Sequence, residues 1–405
     1  MNSQALTTGS LTTPFAVNVF QQVALQQGPY RNLTVATSGV QHAMAVLREA
    51  SAGQTRTEID RVMHSHMWMD ADQDVFSTYI AAMRQGRLSG LQLKLASGLW
   101  VDKALPMRRS FQEQVRQSLG TQTRVVDFAQ HAEVTTRGVN NWVTAHTGEQ
   151  VQSLLYQANP ELWALFVSVC CFTGQWQVPF DLGLTRRAFF TSGGAAQELS
   201  PIPMMYIQNH SMPFYEDVSR GAEIIEIDFD GQQASLVVVL PDDVNKLPTI
   251  EKKLSAHVLA EWFSGLEKSR AKGGRRFHQV GMPKYFNRSS FDLLPTMKAL
   301  GVGDVFSEQA NMEQLTGPVG NNVVGLNGDS LANFHFNTAY HDVIFGWDET
   351  GARTHVDLTM DRRLTDSLIQ NQFVANHSFL FILRDRENNE ILAMGRVAKP
   401  SRRDF

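Results

Sequence analysis

Cysteine is almost missing from this chain: two residues in 405, Cys170 and Cys171, adjacent within an apolar run. That excludes a disulfide framework of the kind that holds small secreted domains together, so stability must come from packing. No apolar run is long enough for a membrane-spanning helix, and no membrane partner is expected. Basic residues are not in excess. The 36 Lys and Arg face 40 Asp and Glu, leaving a formal net charge of −4 and no footprint for nucleic acid. Residues 1–13 are polar and lack the apolar segment of a signal peptide. Catalytic signatures are also missing: no glycine-rich dinucleotide or phosphate loop, no HExxH and no CxxC. Gly328-Asp329-Ser330-Leu331-Ala332 approaches a nucleophile elbow but lacks its final glycine and its strand-to-helix setting, so chance explains it better. Asp70, Asp72 and Asp74 are spaced as in a calcium loop, yet Val75 and Ala81 stand where glycine and glutamate are needed. His64 and His66, two residues apart, make no convincing ligand pair. Neither a metal nor a cofactor is expected.

What is present describes one large packed body. A hydrophobic content of 43% is near the globular norm. No composition break or flexible linker divides residues 1–405, which read as a single domain. Phe15, Val19 and Val23, with Ala16, Phe20 and Ala24, recur at helical spacing after Pro14, read as an early helix residue. A second helix is expected over 40–49, and 56–85 reads as helix interrupted by the acidic turn. Leu91, Leu93 and Leu95 alternate with polar residues, and the strand continues through Gly98–Val101. Phe111, Val115 and Leu119 mark a helix stopping at Gly120. Residues 125–128 read as a short strand and 140–155 as an amphipathic helix. The apolar run 162–172 has the character of a central strand covered on both faces. Ile224, Ile225 and Ile227, then Asp230-Gly231, then 236–240 read as a hairpin with a two-residue turn. Helices and strands mix without regular alternation, so the class is α+β. The basic cluster Lys268, Arg270, Lys272, Arg275 and Arg276 reads first as a solvated loop and second as a polyanion site.

The stretch from Gly346 to Ser378 organises the rest. It lies between two expected strands, 342–345 and 379–383, and has no obvious partner of its own. An unstructured connection of that length in a compact domain is usually functional or disordered. Its first half alternates: Ala352, Thr354, Val356, Leu358 and Met360 against Arg353, His355, Asp357, Thr359 and Asp361. That is a strand with one apolar and one wet face. Asp361–Ser367 follows, polar, doubly basic and easily presented to a protease.

Short motifs then run in order along nearly the whole chain: Phe20-Gln21-Gln22-Val23; Asn140-Asn141-Trp142-Val143 with His146 and Thr147; Phe172-Thr173-Gly174-Gln175-Trp176 with Pro179 and Phe180; Pro203-Met204-Met205; Pro283-Lys284-Tyr285; and Leu300-Gly301-Val302 with Asp304 and Phe306. The end is the most specific: Phe379-Leu380-Phe381-Ile382-Leu383-Arg384, then Met394-Gly395-Arg396-Val397 and Pro400. In these the chain resembles the serpins, and most closely the plasminogen activator inhibitor type 1 branch. The resemblance implies three β-sheets, a ring of about nine helices and an exposed reactive-centre loop over about 349–378. It also implies suicide inhibition of a trypsin-like serine protease. The protease cuts the loop, forms an acyl-enzyme, and is trapped when the loop inserts into the central sheet. A non-inhibitory serpin that binds or carries a ligand is the alternative.

The resemblance also assigns residues. Glu349-Thr350-Gly351 matches the hinge signature, and Ala352, Thr354 and Val356 would be its buried face on insertion. Arg353, His355 and Asp357 replace the family's short side chains but fall on the wet face, so insertion would bury no charge. Ala36-Thr37 stands where the family has Ser-Pro, and Ser168 where it has asparagine. His341 matches the family's histidine where the central sheet opens, and is expected to be a satisfied core histidine as well as part of the gate. Two arguments place the reactive bond differently. Spacing from the hinge glutamate points to Thr365, next to Asp366. Chemistry points to Arg362, Arg363 and Leu364, because a guanidinium suits an acidic specificity pocket. A monomer is expected, with a polyanion or a regulatory protein as a possible helper. Sequons at Asn32, Asn209, Asn287 and Asn376 favour an extracellular glycoprotein over a cytoplasmic protein.

Overall fold

The computed structural model describes residues 8–65, 90–149, 151, 153–194, 197–317, 334–336, 339–354 and 371–400. Among them are three β-sheets, with sixteen strands and nine α-helices, numbered here in chain order. The central sheet has six strands in the order β11 (Tyr285–Asp292), β12 (Ala339–Trp347), β13 (Gly351–Arg353), β4 (Ala164–Gln175), β2 (Leu91–Asp102) and β3 (Gln122–Val126). β4 shows why an uninterrupted apolar run belongs there. Leu165, Val167, Val169 and Cys171 pack into a cluster with Trp142 and Val143 of helix α5 (Phe128–Thr147). Phe166, Cys170 and Phe172 pack into the main core with helix α2 (Thr37–Ala50). Alternate residues therefore meet different apolar layers, as a two-side-covered strand requires. The two cysteines point to opposite faces and are free.

A second six-stranded sheet runs β1 (Leu33–Val35), β16 (Ile391–Val397), β15 (Phe379–Asp385), β9 (Ala234–Pro241), β8 (Ala222–Asp228), β7 (Phe214–Asp217). Every residue of β15 and β16 is buried. A third, four-stranded sheet runs β14 (Gln372–Val374), β10 (Arg275–Pro283), β6 (Leu199–Met212), β5 (Asp181–Thr191). The remaining helices are α1 (Thr8–Gln27), α3 (Gly53–Val62), α4 (Arg109–Gln114), α6 (Leu247–Lys253), α7 (Ala256–Ala271), α8 (Leu294–Leu300) and α9 (Glu313–Thr316).

Several expectations are corrected. Helix α1 reaches back to Thr8, which puts Pro14 inside it. Helix α5 begins twelve residues before Asn140 and ends at Thr147. Its start is set by Asp127, whose side chain accepts from Gln130 N, and its end by Gly148 in the left-handed region at φ +65°. Its first part hid in the sequence because it buries little: Phe128, Thr135, Thr136 and Val139 leave no clear apolar stripe. Phe128 accordingly belongs to a helix, and β3 ends at Val126. The β8–β9 connection takes residues 229–233 rather than a two-residue turn, with Gly231 and Gln232 both at positive φ. Of the helix expected over 56–85 only α3 is described. His66, the acidic turn and the elbow-like segment at 328–332 lie outside the described residues. The stretch 346–378 is paired at both ends: its start enters the central sheet as β13, and its end lies parallel to β10 as β14.

Candidate functional site at the mouth of the central sheet

β12 and β4 pair directly, in parallel, from Ala339 opposite Phe166 to Ile344 opposite Cys171. Beyond that point they part, and β13 lies between them. Trp347 then pairs with Ala352, and Ala352 with Gly174. The turn that sends the chain back is built on Asp348. Its Oδ1 accepts from Thr350 N at 2.8 Å, Thr350 Oγ1 at 2.6 Å and Gly351 N at 3.2 Å. Gly351 has φ +154°, and a Cβ there would stand 1.8 Å from the Gly174 carbonyl oxygen. Only glycine permits that approach. Ala352 is fully buried, whereas Arg353 and Thr354 are half-buried. The Arg353 guanidinium turns back toward Asp348, 3.8 Å away.

Glu349 is the buried anchor of this turn, 3% exposed. Its Oε1 accepts from Thr185 Oγ1 at 2.7 Å and pairs with Lys284 Nζ at 3.0 Å. The backbone carbonyls of the turn are taken up by one facing segment. Trp176 Nε1 donates to Asp348 O at 2.8 Å, Trp176 N to Thr350 O at 2.9 Å and Phe180 N to Glu349 O at 2.8 Å. Trp176 itself is stacked on Phe229, with centroids 4.6 Å apart. Sequence reasoning named the Phe172–Trp176 and Pro283–Tyr285 motifs but gave Trp176, Lys284 and Thr185 no role. A buried glutamate needs a cation and a donor, yet sequence alone does not say which ones the fold supplies.

Lower in the sheet, His341 of β12 lies opposite Ser168 of β4, both fully buried. Ser168 Oγ donates to Gly39 O at 3.4 Å, and a Cβ at Gly39 would stand 3.1 Å from His341 Cε1. The first turn of α2 therefore presses directly on the pair. His341 is not the satisfied core histidine expected: neither ring nitrogen has a hydrogen-bond partner among the described residues. Burial lowers its pKa to about 4, so the ring is neutral.

Other candidates scatter. Val356, Arg362, Arg363, Leu364, Thr365 and Asp366 lie outside the described residues. Asn209 and Asn376 are exposed. Asn287 is buried in β11 with its amide donating to Ser289 Oγ at 2.6 Å, which removes it as a glycan acceptor in the folded chain. Asn32 is half-buried, and its side chain bridges to the backbone of Ala398 and Lys399. Arg270 is no loop residue: it ion-pairs with Glu226 at 2.9 Å and Asp228 at 2.5 Å. Arg275 stacks on Phe214 at 4.4 Å, while Lys268 and Lys272 line a surface groove with Tyr215. Among the described residues no cluster of three metal-binding side chains occurs, and no helix is long and apolar enough to cross a membrane.

A family model described as Serpin (serine protease inhibitor) matches residues 10–400. Mouse antithrombin-III is 27% identical over 394 residues, covering 95% of this chain and 80% of the relative. The structure of uncleaved ovalbumin superposes with a TM-score of 0.80 at 21% identity, covering 97% of this chain and 100% of the other. Thyroxine-binding globulin in complex with thyroxine gives a TM-score of 0.80 at 20% identity, covering 97% and 99%. At those identities the two structures speak for the fold alone.

Proposed function

The chain belongs to the serpin family, and from that premise we propose that it is a suicide inhibitor of trypsin-like serine proteases, plasminogen-activator-like enzymes among them. One observation carries this reading. The start of the loop is already a strand of the central sheet, paired on both sides, with Ala352 wholly buried. The sequence beyond it keeps the alternation that further insertion needs, with Thr354, Val356, Leu358 and Met360 on the inward face. The single domain spans residues 1–405, with the reactive-centre loop over about 349–378. When a protease cuts the loop, its serine is esterified to the newly exposed carbonyl. The freed arm then zips between β12 and β4, and the attached enzyme is carried away and distorted before water can release it. The barrier to return is the hydrogen bonding and burial gained by the new strand.

The reactive bond lies at Arg362-Arg363 or Arg363-Leu364 for trypsin-like enzymes and at Thr365-Asp366 for one that tolerates threonine. Cutting after Arg363 rather than Thr365 shortens the inserting arm by about 7 Å at roughly 3.3 Å per residue, which weakens the pull and favours simple cleavage. A monomer secreted with glycans on Asn209 and Asn376 is the setting we favour. A polyanion or a regulatory protein is the helper to look for, and Lys268 and Lys272 the place to begin. The competing reading is a non-inhibitory serpin that binds or carries a ligand. It is favoured by Arg353, His355 and Asp357 in the hinge, where the family carries short side chains. Mixing the protein with trypsin-like proteases decides between them. An inhibitor gives a complex that survives denaturing electrophoresis, and mass spectrometry of the released C-terminal peptide finds it beginning between Arg363 and Asp366. Complete cleavage without any complex removes the inhibitory reading.

A further inference from the structure

Several of the buried carboxylates sit against a cation: Glu226 against Arg384, Glu251 against Arg396, Asp342 against Arg288, Glu349 against Lys284. Glu390 does not. It lies just before β16, wholly buried, and no ion pair reaches it among the described residues. Thr12 Oγ1 of helix α1 donates to its Oε2, and Oε1 has no partner among the described residues. Gln41 of helix α2 also donates toward this carboxyl, which opposes the effect of burial without overcoming it, and its own carbonyl oxygen Oε1 has no partner among the described residues. Among the described residues, then, two acceptor oxygens of this dry site lack a donor.

The surrounding charges offer no remedy. Helix α1 has no ionisable side chain at all. On α2, His42 is committed to the Leu119 carbonyl at 2.7 Å. At the end of β15 and on the turn after it, Arg384 and Arg386 face Glu226 and Glu267, and Asp385 adds repulsion. Desolvation by burial pushes the Glu390 pKa up to about 8. We propose that the native protein holds Glu390 as a neutral carboxylic acid that donates to Gln41 Oε1, a proton-dependent latch fastening α1 and α2 to the start of β16. The latch has neighbours that make it matter. Thr37 Oγ1 and Ser38 Oγ of α2 donate to the carbonyls of Ile391 and Leu392 at 2.6 and 3.0 Å. The next residue of that helix, Gly39, carries the His341–Ser168 pair. Ionising Glu390 therefore loosens the helix beneath the opening point of the central sheet.

The sign follows from proton binding. The folded state holds this proton where the unfolded state has lost it, so stability falls as pH rises from the ordinary glutamate range to about 8 and levels off above. Glu251, raised by burial to about 7, adds a slope of the same sign, so the test is a difference between proteins. Urea-denaturation midpoints are measured for the full chain and for Glu390→Gln across roughly pH 5 to 9. We expect the parent to lose up to about tenfold in its folding constant per pH unit relative to the variant. Parallel profiles would overturn the proposal. Should Glu390→Gln fail to fold, Thr12→Val is read instead. It removes a donor that favours the carboxylate, so the sloping segment moves to higher pH. Movement to lower pH, or none, would overturn the proposal equally.

Discussion

Along β12 and β4 the same two strands meet in two ways. Below, from Ala339 to Ile344, they are direct parallel partners and close the sheet around His341 and Ser168. Above, from Gly346 to Trp347, they are held apart by Gly351–Arg353, and the glycine at Gly351 lets its backbone pass the Gly174 carbonyl of β4. The upper part is held by polar groups with named partners, Glu349 with Lys284 and Thr185, Asp348 with its own turn. The lower part contains a histidine whose ring nitrogens have no hydrogen-bond partner among the described residues. The difference teaches where the sheet resists. The anchored turn fixes where β13 begins, while below it β12 and β4 are closed on each other by packing and one backbone ladder, and that is the line the proposed insertion would have to open.

The largest effect is expected where the two parts adjoin. Ala352→Arg puts a guanidinium where no exposed surface remains, and a buried unpaired charge is far costlier than the strand pairing it replaces. The variant should gain no thermal stability when its loop is cut, and calorimetry before and after cleavage will read this. Glu349→Ala comes next. It takes one partner from Lys284 and the acceptor from Thr185 Oγ1, and should lower stability by about 1 to 3 kcal/mol, measured by denaturant titration. The lower part is probed by pH. His341 folds neutral with a pKa near 4, so the unfolded state takes up a proton that the folded state refuses. Stability is complete above the ordinary histidine pKa and is lost as pH falls toward 4, by at most about 3 kcal/mol. His341→Leu should flatten that limb, while leaving protease selectivity unchanged. Arg353→Ala is the smallest: a half-exposed side chain with a 3.8 Å ion pair should matter by no more than about 0.5 kcal/mol.

Much of this was legible beforehand because periodicity reports burial. The apolar run 162–172 announced a two-side-covered strand, and the alternation from Ala352 onward announced a strand without a sheet. Nothing in periodicity names a partner. Gly346–Ser378 therefore read as unpaired, although Gly351–Arg353 joins β12 and β4 and Gln372–Val374 joins β10 across more than ninety residues of chain. The first half of α5 was hidden because a helix lying on a sheet with few buried residues shows no stripe. Pro14 was misplaced because a single proline marks the first turn more often than an interior one. Asn287 carries a sequon in a strand whose inward face only the fold reveals. Glu349 was legible as part of a signature, but its burial against Lys284 and Thr185 was not, since those partners lie 65 and 164 positions away.

The central claim is that the space between β12 and β4, already entered by Gly351–Arg353, is where the rest of the loop goes. The direct test is the melting temperature of the protein before and after a single cut in the reactive-centre loop. Insertion adds a strand's ladder of hydrogen bonds and buries the Thr354, Val356, Leu358 and Met360 face, so the cleaved protein should melt higher by roughly tens of degrees. A cleaved protein that melts at the same temperature as the intact one would contradict the account.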